Sequence, residues 1–375
     1  TINKSTGKNA HFEFVNEKSR SRIHRFSHDT EMFRSPKLVK MYNNSYKYSF
    51  PKCEQNMAAA RISGFDGFPD ILKDFLYYRH CRYFPMILDL PDKCGGIEEP
   101  EDIFLLLVIK SSPMHYERRE VLRKTWAQER SYKGLRIRRI FTLGTMGNNF
   151  EKERLNKLLK TEHQEHNDIL QWDFQDTFFN LTLKQVLFLK WMKRNCQQVN
   201  FLLNGDDDVF ANTDNIVDYL HGRRENNGSQ HLFTGFLIKN GFPVRWDRSK
   251  YFVPSQVYEK NVYPNYCGGG GFLLSSFTAL MIYSYSNAIP LFPIDDVYMG
   301  MCLEKAKLAP TPHIGIKTFG WYIPSKKIDQ YDPCYFKDYL LVHQFFPNNM
   351  YLMWHQINDP NLKCGVTNSS RTIQT

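Results

Sequence analysis

The sequence contains no C-x-x-C pair, no zinc-finger spacing and no long run of lysine or arginine. The missing cysteine pairs argue against structural zinc and against thioredoxin-like redox chemistry. The formal net charge is +10, and a basic surface favours nucleic acid, acidic membranes or small anions as ligands. Because no basic run and no finger motif are present, we expect no nucleic-acid partner.

Apolar stretches of membrane-spanning length are also missing. The longest apolar run is Ile103–Ile109, far shorter than the roughly 20 residues that a spanning helix needs. No signal peptide is recognisable, and the first residue is Thr1. We therefore expect that a targeting segment has been removed from this chain or was not included in it.

Cysteines and glycosylation sequons point to an oxidising compartment. The chain has eight cysteines, and widely spread, even-numbered cysteines are typical of disulfides. Asn-x-Ser/Thr sequons accompany them, and the two features together favour the secretory pathway. The sequons begin at Asn3, Asn43, Asn180, Asn227 and Asn368.

Composition and local patterning divide the chain into four parts. Hydrophobic residues make up 42% and aromatic residues 15%, which supports a substantial core and argues against global disorder. Residues 1–50 are polar and are expected to form a stem or linker. Residues 51–100 contain three cysteines and are expected to form a disulfide-tied covering segment. Residues 101–364 form the main domain, and 365–375 a tail.

Within the main domain, apolar runs alternate with helical patterns, which predicts an α/β domain with a Rossmann-like sheet flanked by helices. The predicted strands are 103–109, 136–143, 169–174 and 199–203, and the predicted helices are 116–129, 151–166 and 181–193. Ligands of such domains bind beyond the carboxyl ends of the strands. The fourth strand runs directly into the triplet Asp206-Asp207-Asp208.

The aspartate triplet is the first candidate site. Three adjacent carboxylates repel one another, and a hard divalent cation such as Mg²⁺ or Mn²⁺ offsets that charge well. On an extended backbone, Asp206 and Asp208 would lie on one side and Asp207 on the other. A solvated turn with a helix cap is the alternative interpretation, because aspartate is common in both.

Two further segments are candidates for binding and catalysis. Asp295-Asp296 precedes a predicted helix over Val297–Leu303; one carboxylate could cap this helix, and the other could accept a proton from an attacking hydroxyl. The run Gly268–Gly271 allows close approach of the backbone to a ligand. A flexible loop is the alternative interpretation of this run.

Basic and imidazole groups complete the candidate set. Arg119 and Arg123 lie one helical turn apart after the first strand, where they could meet a diphosphate; a solvated helix face is the alternative. His343 lies at a predicted strand end, and a neutral imidazole is a good ligand for a transition metal.

The motifs as a set resemble the β-1,3-glycosyltransferases (glycosyltransferase family 31), and more closely the β-1,3-N-acetylglucosaminyltransferases that act on galactose. The resemblance covers about residues 50–364. It rests on the segments Arg118–Trp126 (RREVLRKTW), Asp176–Lys184 (DTFFNLTLK), Asn204–Phe210 (NGDDDVF), Cys267–Phe272 (CGGGGF) and Ile294–Gly300 (IDDVYMG). The late segments Asp332–Phe336 and Asn361–Gly365 resemble the core 1-extending branch, beside the N-acetyllactosaminide type.

The resemblance implies a GT-A fold over 101–364 and a type II Golgi membrane protein whose anchor is absent from this chain. It implies UDP-N-acetylglucosamine (UDP-GlcNAc) as the donor, Mn²⁺ or Mg²⁺ as cofactor and a galactose-terminated glycan as the acceptor. A homodimer is a further expectation. Cys267 stands where some relatives carry a small residue, so we expect it to be unpaired or to define a branch.

The resemblance also assigns roles to individual residues. Asp296 is the expected catalytic base, with Asp295 beside it. The expected metal ligands are Asp206, Asp208 and His343. Nucleotide contacts are expected from Lys110, Ser111, Arg119, Arg123, Asp176, Lys184, Asp206 and Asp207, with Gly269 and Gly270 lining the sugar site.

Three alternatives stay open from the sequence. The donor could be UDP-galactose, because the aspartate triplet would bind the metal and does not distinguish one donor sugar from another. The chain could instead be a secreted Ca²⁺-dependent glycan-binding module, or it could have a purely structural role.

Overall fold

The computed structural model describes residues 53–95, 101–223, 227–318 and 332–364. The expected stem 1–50 and tail 365–375 lie outside the described residues. Within the described ranges, no helix is long and apolar enough to cross a membrane.

Twelve strands are present in the part of the chain that the structure describes. They are β1 (Met86–Leu88), β2 (Leu105–Lys110), β3 (Arg130–Tyr132), β4 (Leu135–Thr145), β5 (Ile169–Gln175), β6 (Phe201–Asp206), β7 (Val209–Ala211), β8 (Phe233–Ile238), β9 (Tyr266–Ser275), β10 (Thr311–Pro312), β11 (Ile316–Lys317) and β12 (Leu341–His343).

The helices cover the faces of the sheet. They are α1 (Asp70–Tyr78), α2 (Tyr116–Lys124), α3 (Asn149–His166), α4 (Leu181–Asn195), α5 (Thr213–His221), α6 (Ser276–Ser286), α7 (Asp295–Lys305), α8 (Pro333–Phe336) and α9 (Pro347–Ile357), with short 3-10 turns at Met57–Arg61, Phe65–Gly67 and Phe178–Asn180.

The main sheet has the strand order β1-β5-β4-β2-β6-β9-β8-β10, and β3 pairs with β4. Strands β5, β4, β2 and β6 are parallel, and β9 pairs antiparallel with β6. A small second sheet has the order β11-β12-β7. The predicted architecture, a mixed sheet flanked by helices, is confirmed.

The central strand β2 shows why both faces of the sheet are covered. All six of its residues are buried, as expected for a parallel strand between two helical layers. Leu106 and Val108 belong to the hydrophobic core on one face, whereas Leu105, Leu107 and Ile109 belong to the core on the other. The strand period of two therefore assigns alternate side chains to two separate cores.

The helix predicted over 116–129 ends earlier than we expected. Helix α2 stops at Lys124, because Thr125 adopts non-helical dihedral angles (φ −121°, ψ −131°) and its hydroxyl donates to the Val121 carbonyl. Trp126 is nevertheless fully buried with Leu122 in the same core. The chain leaves the helix there to form β3, which pairs antiparallel with β4.

Disulfides tie the N-terminal segment to the main domain, as predicted. Cys53 pairs with Cys81 within the segment, and Cys94 pairs with Cys196 at the end of α4. A third bridge joins Cys334 to Cys364. Cys267 and Cys302 are buried thiols, so the expected unpaired state of Cys267 is present in this structure.

Candidate active site

The candidate site is a cavity of about 450 Å³ beyond the carboxyl ends of β2 and β6, the edge at which the alternation of strands and helices placed it. Its lining includes Lys110, Ser111, His115, Arg118, Asp176, Phe178, Lys184, Asp206, Asp207, Asp208, Lys250, Tyr251, Gly269, Gly270, Asp295, Asp296 and His343.

One side of the aspartate triplet faces an imidazole. Potential ligand atoms of Asp206, Asp208 and His343 all lie within 4.8 Å of one another. The triplet continues into β7, and β12 pairs with β7 so that His343 stands opposite Val209. This register brings two residues that are more than a hundred positions apart to the same point, with His343 Nε2 at 3.3 Å from Asp208 Oδ1.

The donor chemistry of this group fits a divalent cation. Asp208 Oδ1 is buried and has no hydrogen-bond partner among the described residues, which a cation would supply. Two carboxylates with one imidazole suit Mn²⁺, since carboxylate oxygens bind hard cations and imidazole binds transition metals. His343 Nδ1 lies 3.2 Å from the Thr318 carbonyl oxygen, a contact that orients the ring.

Gly270 makes the room for this imidazole. Its φ is +85°, and a Cβ at this position would lie 2.5 Å from the His343 ring. Glycine is therefore required here both by the backbone conformation and by the close approach of the ring. Gly269 has a φ of +84° and lines the same cavity.

Asp207 lies on the opposite side of the triplet and is engaged by three donors. Ser111 Oγ donates to Asp207 Oδ2 at 2.7 Å, His115 Nδ1 lies 2.7 Å from the same oxygen, and Arg118 Nη1 donates to Oδ1 at 2.9 Å. Burial raises the pKa of Asp207, but the contacts with His115, Ser111 and Arg118 outweigh burial and hold this pKa below its usual range. Asp207 is thus a charged anchor for the loop after β2.

Lys110, at the end of β2, joins the two acidic segments. Its Nζ lies 3.0 Å from Asp206 Oδ1 and 2.6 Å from Asp295 Oδ2. Burial lowers the pKa of Lys110, but the charges of Asp206, Asp295 and Asp296 outweigh it and hold the pKa well above its usual range. Lys110 is therefore a permanent cation within this group of carboxylates.

Asp295 and Asp296 occupy the first turn of α7 and differ in their environments. The helix begins at Asp295, with Ile294 as its N-cap, so neither aspartate caps it as we considered from the sequence. Asp295 Oδ2 accepts a hydrogen bond from Lys110 Nζ. Burial, followed by the charge of Asp295, raises the pKa of Asp296 to about 8, although the Gly269 backbone N–H donates to it. Of the two, Asp296 has the properties of a proton acceptor at neutral pH.

Asp176 and Lys184 line the cavity but are paired with each other. Lys184 Nζ lies 2.7 Å from Asp176 Oδ1 and also donates to the Ser111 carbonyl at 2.7 Å. The Gly144 N–H donates to the second oxygen of Asp176. These contacts fix the position of Ser111.

Arg119 and Arg123 lie elsewhere than we expected. Both are buried and neither lines the cavity. Arg119 donates twice to Glu162 on α3, and Arg123 donates to Glu162 and Asp168. Leu122 lies between them and is fully buried, so this face of α2 is internal and contacts Glu162 on α3 and Asp168 before β5 rather than a ligand.

Arg119 nevertheless reaches the site indirectly. Its Nη1 donates to Ser111 Oγ at 3.1 Å and to the Ser112 carbonyl at 2.6 Å. Ser111 in turn donates to Asp207. The buried ion pair thus supports the hydrogen bonds that hold the aspartate triplet.

Several cavity residues were missed in the sequence, among them His115, Arg118, Lys250 and Tyr251. His115 precedes α2 and Arg118 lies in its first turn, and both line the cavity. Arg118 lies one helical turn before the buried Leu122, so helical spacing alone did not show that this end of α2 meets the cavity. Lys250 and Tyr251 gave no periodic signal: Lys250 Nζ lies 4.9 Å from the centre of the Tyr251 ring, and this ring is 5.4 Å from that of Phe178.

The family model described as "Galactosyltransferase" matches residues 117–313, the region that supplies most of this cavity. The chain belongs to this family. The resemblance predicted from the motifs is therefore confirmed.

Relatives whose names state an activity match most of the chain. The human N-acetyllactosaminide beta-1,3-N-acetylglucosaminyltransferase 3 is 51% identical over 314 residues, 84% of this chain and 82% of that protein. The human acetylgalactosaminyl-O-glycosyl-glycoprotein beta-1,3-N-acetylglucosaminyltransferase is 49% identical, covering 84% and 81%. The mouse UDP-GlcNAc:betaGal beta-1,3-N-acetylglucosaminyltransferase 7 is 41% identical, covering 84% and 78%.

Proposed function

We propose that this chain is an inverting transferase that moves N-acetylglucosamine from UDP-GlcNAc to the 3-hydroxyl of a terminal galactose. The acceptor is an O-glycan core 1 or an N-acetyllactosamine chain. The activities for which these relatives are named support the donor and the acceptor. The observation that carries the proposal is a single cavity in which Asp296, with a pKa of about 8, lies across from the cluster of Asp206, Asp208 and His343.

Asp296 is the proposed base. It withdraws the proton from the galactose 3-hydroxyl, and that oxygen attacks the anomeric carbon from the face opposite UDP. An α-linked donor then yields a β-1,3 product. Asp295 keeps Lys110 in place, and the Lys110–Asp295 contact of 2.6 Å removes this second carboxylate from proton transfer.

The departing diphosphate needs positive charge close to it. Asp206, Asp208 and His343 would hold Mn²⁺ or Mg²⁺, which when bound neutralises the developing negative charge. Arg118 and His115 also line the cavity, and they would add hydrogen-bond donors to the diphosphate. Ser111 and Asp207 orient these groups, and Gly269 and Gly270 leave the backbone open beside the sugar.

UDP-galactose is the second candidate donor, because the matching family model carries the name of galactosyl transfer. A donor panel with one galactose-terminated acceptor separates the two. A Ca²⁺-dependent binding module would bind glycan without nucleotide, so metal-linked UDP binding in a calorimetric titration would exclude it.

The deciding experiment is transfer from a panel of UDP-sugars to core 1 and N-acetyllactosamine acceptors, with linkage analysis of the product. A β-1,3-linked GlcNAc product supports the proposal, whereas a galactose product or another linkage overturns it. The Asp296→Asn variant serves as the inactive control.

We further propose action in the Golgi lumen, as a type II membrane protein. Three disulfides support an oxidising compartment. Residues 101–364 are the proposed catalytic domain. A homodimer is also proposed, and light scattering would test it.

A further inference from the structure

The sequon Asn227-Gly228-Ser229 forms an exposed loop between α5 and β8. The Asn227 side chain is exposed, and Ser229 Oγ donates to Asn227 Oδ1 at 2.9 Å. Asn227 Nδ2 makes no hydrogen bond with any residue in the described ranges. The one nitrogen that an N-linked sugar would occupy is therefore accessible.

The backbone of this loop is fixed on both sides. Asn200 Nδ2 donates to the Asn227 carbonyl at 2.6 Å, and the Phe277 N–H donates to the Gly228 carbonyl at 3.0 Å. Gly228 has a φ of +90°, and a Cβ there would lie 2.2 Å from the Asn200 carbonyl oxygen. The main chain of the sequon is thus held inward while the Asn227 side chain projects outward.

The loop lies at the end of the sheet away from the active site. Asn200 directly precedes β6, whereas Asp206 ends it, so the two ends are about 20 Å apart at ~3.3 Å per residue. Beside Asn227 is a surface groove of about 270 Å³ lined by Phe104, Arg136 and Arg223 among others. An attached oligosaccharide would find an aromatic ring and polar groups there, and it would leave the catalytic cavity open.

We propose that Asn227 carries an N-linked oligosaccharide. Three disulfides place the chain in an oxidising compartment, which is where the donor, a polyprenyl diphosphate oligosaccharide, is found. Asn227 Nδ2 forms a bond to the anomeric carbon of this donor, the bond from that carbon to the diphosphate breaks, and Nδ2 loses a proton. The modification is independent of the transferase activity proposed above.

Peptide mass mapping tests the proposal on the chain secreted from cultured mammalian cells. Treatment with a peptide N-glycosidase should convert Asn227 to Asp in the peptide that contains it. An Asn227 peptide found only in the unmodified form in the secreted protein would overturn the assignment, whatever the transferase assay shows.

Variants provide the matched controls. Asn227→Gln and Ser229→Ala should each lose the mass of one glycan, whereas Ser229→Thr should keep it. Ser229→Ala preserves the backbone contacts of Asn227, so it covers the case in which Asn227→Gln folds poorly. KM and kcat of the Ser229→Ala enzyme should equal those of the parent, because the loop is remote from the cavity.

Discussion

Lys110 Nζ lies 2.6 Å from Asp295 Oδ2, and this contact connects the end of strand β2 to the first turn of helix α7. The two residues are 185 positions apart in sequence. Both side chains are largely buried, so the ion pair is shielded from solvent. The same ammonium group contacts Asp206, and it therefore fixes the distance between the two acidic parts of the site.

Replacing Lys110 with methionine should remove the contact that neutralises Asp295. Breaking a buried pair by removing one partner costs about 3–5 kcal/mol of unfolding free energy. We expect the midpoint of chemical denaturation to fall accordingly and transfer to be lost. The Lys110→Arg variant, which keeps the charge, should retain more stability; equal losses in the two variants would contradict a role for the charge.

Replacing Asp296 with asparagine should remove the proposed base without removing the nucleotide site. Transfer should fall by about 10²- to 10⁴-fold, the usual contribution of a general base. UDP affinity, measured by calorimetry with Mn²⁺ present, should change little. Normal turnover by this variant would show that another group accepts the proton.

Transfer should increase with pH through the titration of Asp296. A base acts in its deprotonated form, and the pKa of Asp296 is raised to about 8 by burial and by Asp295. The logarithm of kcat/KM should thus rise as pH approaches about 8 and level off above it. Added divalent cation favours the charged carboxylate and should move this limb to lower pH. A profile measured with saturating cation that shows no fall in kcat/KM towards acidic pH would argue against Asp296 as the base.

Removal of divalent cation should abolish transfer, and Mn²⁺ or Mg²⁺ should restore it. His343→Ala should require more metal for half-maximal activity, by more than the roughly 10- to 100-fold that loss of a supporting residue costs. The control is His313→Ala, since this imidazole does not line the cavity. Activity that survives prolonged dialysis against chelator would refute a metal-dependent reaction.

Arg118 and Arg119 are adjacent but should behave differently. Arg119→Gln leaves the buried Glu162 without one of its two cations, so about 3–5 kcal/mol of stability should be lost. Arg118→Gln removes a partly exposed cation bound to Asp207; its melting temperature should change little, while UDP affinity should fall roughly tenfold or more. Thermal melting and UDP titration of the two variants distinguish the roles. Reversed results would place Arg119 at the nucleotide.

The sequence carries enough information for the order of the elements and for the acidic positions. The continuous apolar run at β2 and the period of two predict a covered parallel sheet, and the aspartates after β6 follow from the strand that precedes them. Because three adjacent carboxylates repel one another, their position at the end of a strand then favours a cation-binding role. The strand order could not be predicted from the sequence. Strand β2 pairs with β4 and also with β6, which lies far from it along the chain.

The roles of the arginines show where the sequence is insufficient. Arg119 and Arg123 look like a solvent-facing pair at helical spacing, and their partners Glu162 and Asp168 lie on other elements. Only the packing of α3 against α2 decides that this face is internal. Likewise, the spacing of His343 carries no information about Asp208, since the β12–β7 register brings them together.

The Cys94–Cys196 bridge has a consequence for how the protein folds. Its two cysteines precede β2 and β6 by a short distance, and these strands pair with Leu105 opposite Phe201 and Lys110 opposite Asp206. Closing a loop of about a hundred residues is an entropic cost that slows non-local pairing. Once the bridge forms, the two strands are neighbours in an effectively short chain. Oxidation of this one pair should therefore accelerate assembly of the sheet centre, and reduction before refolding should slow the step that creates the catalytic edge.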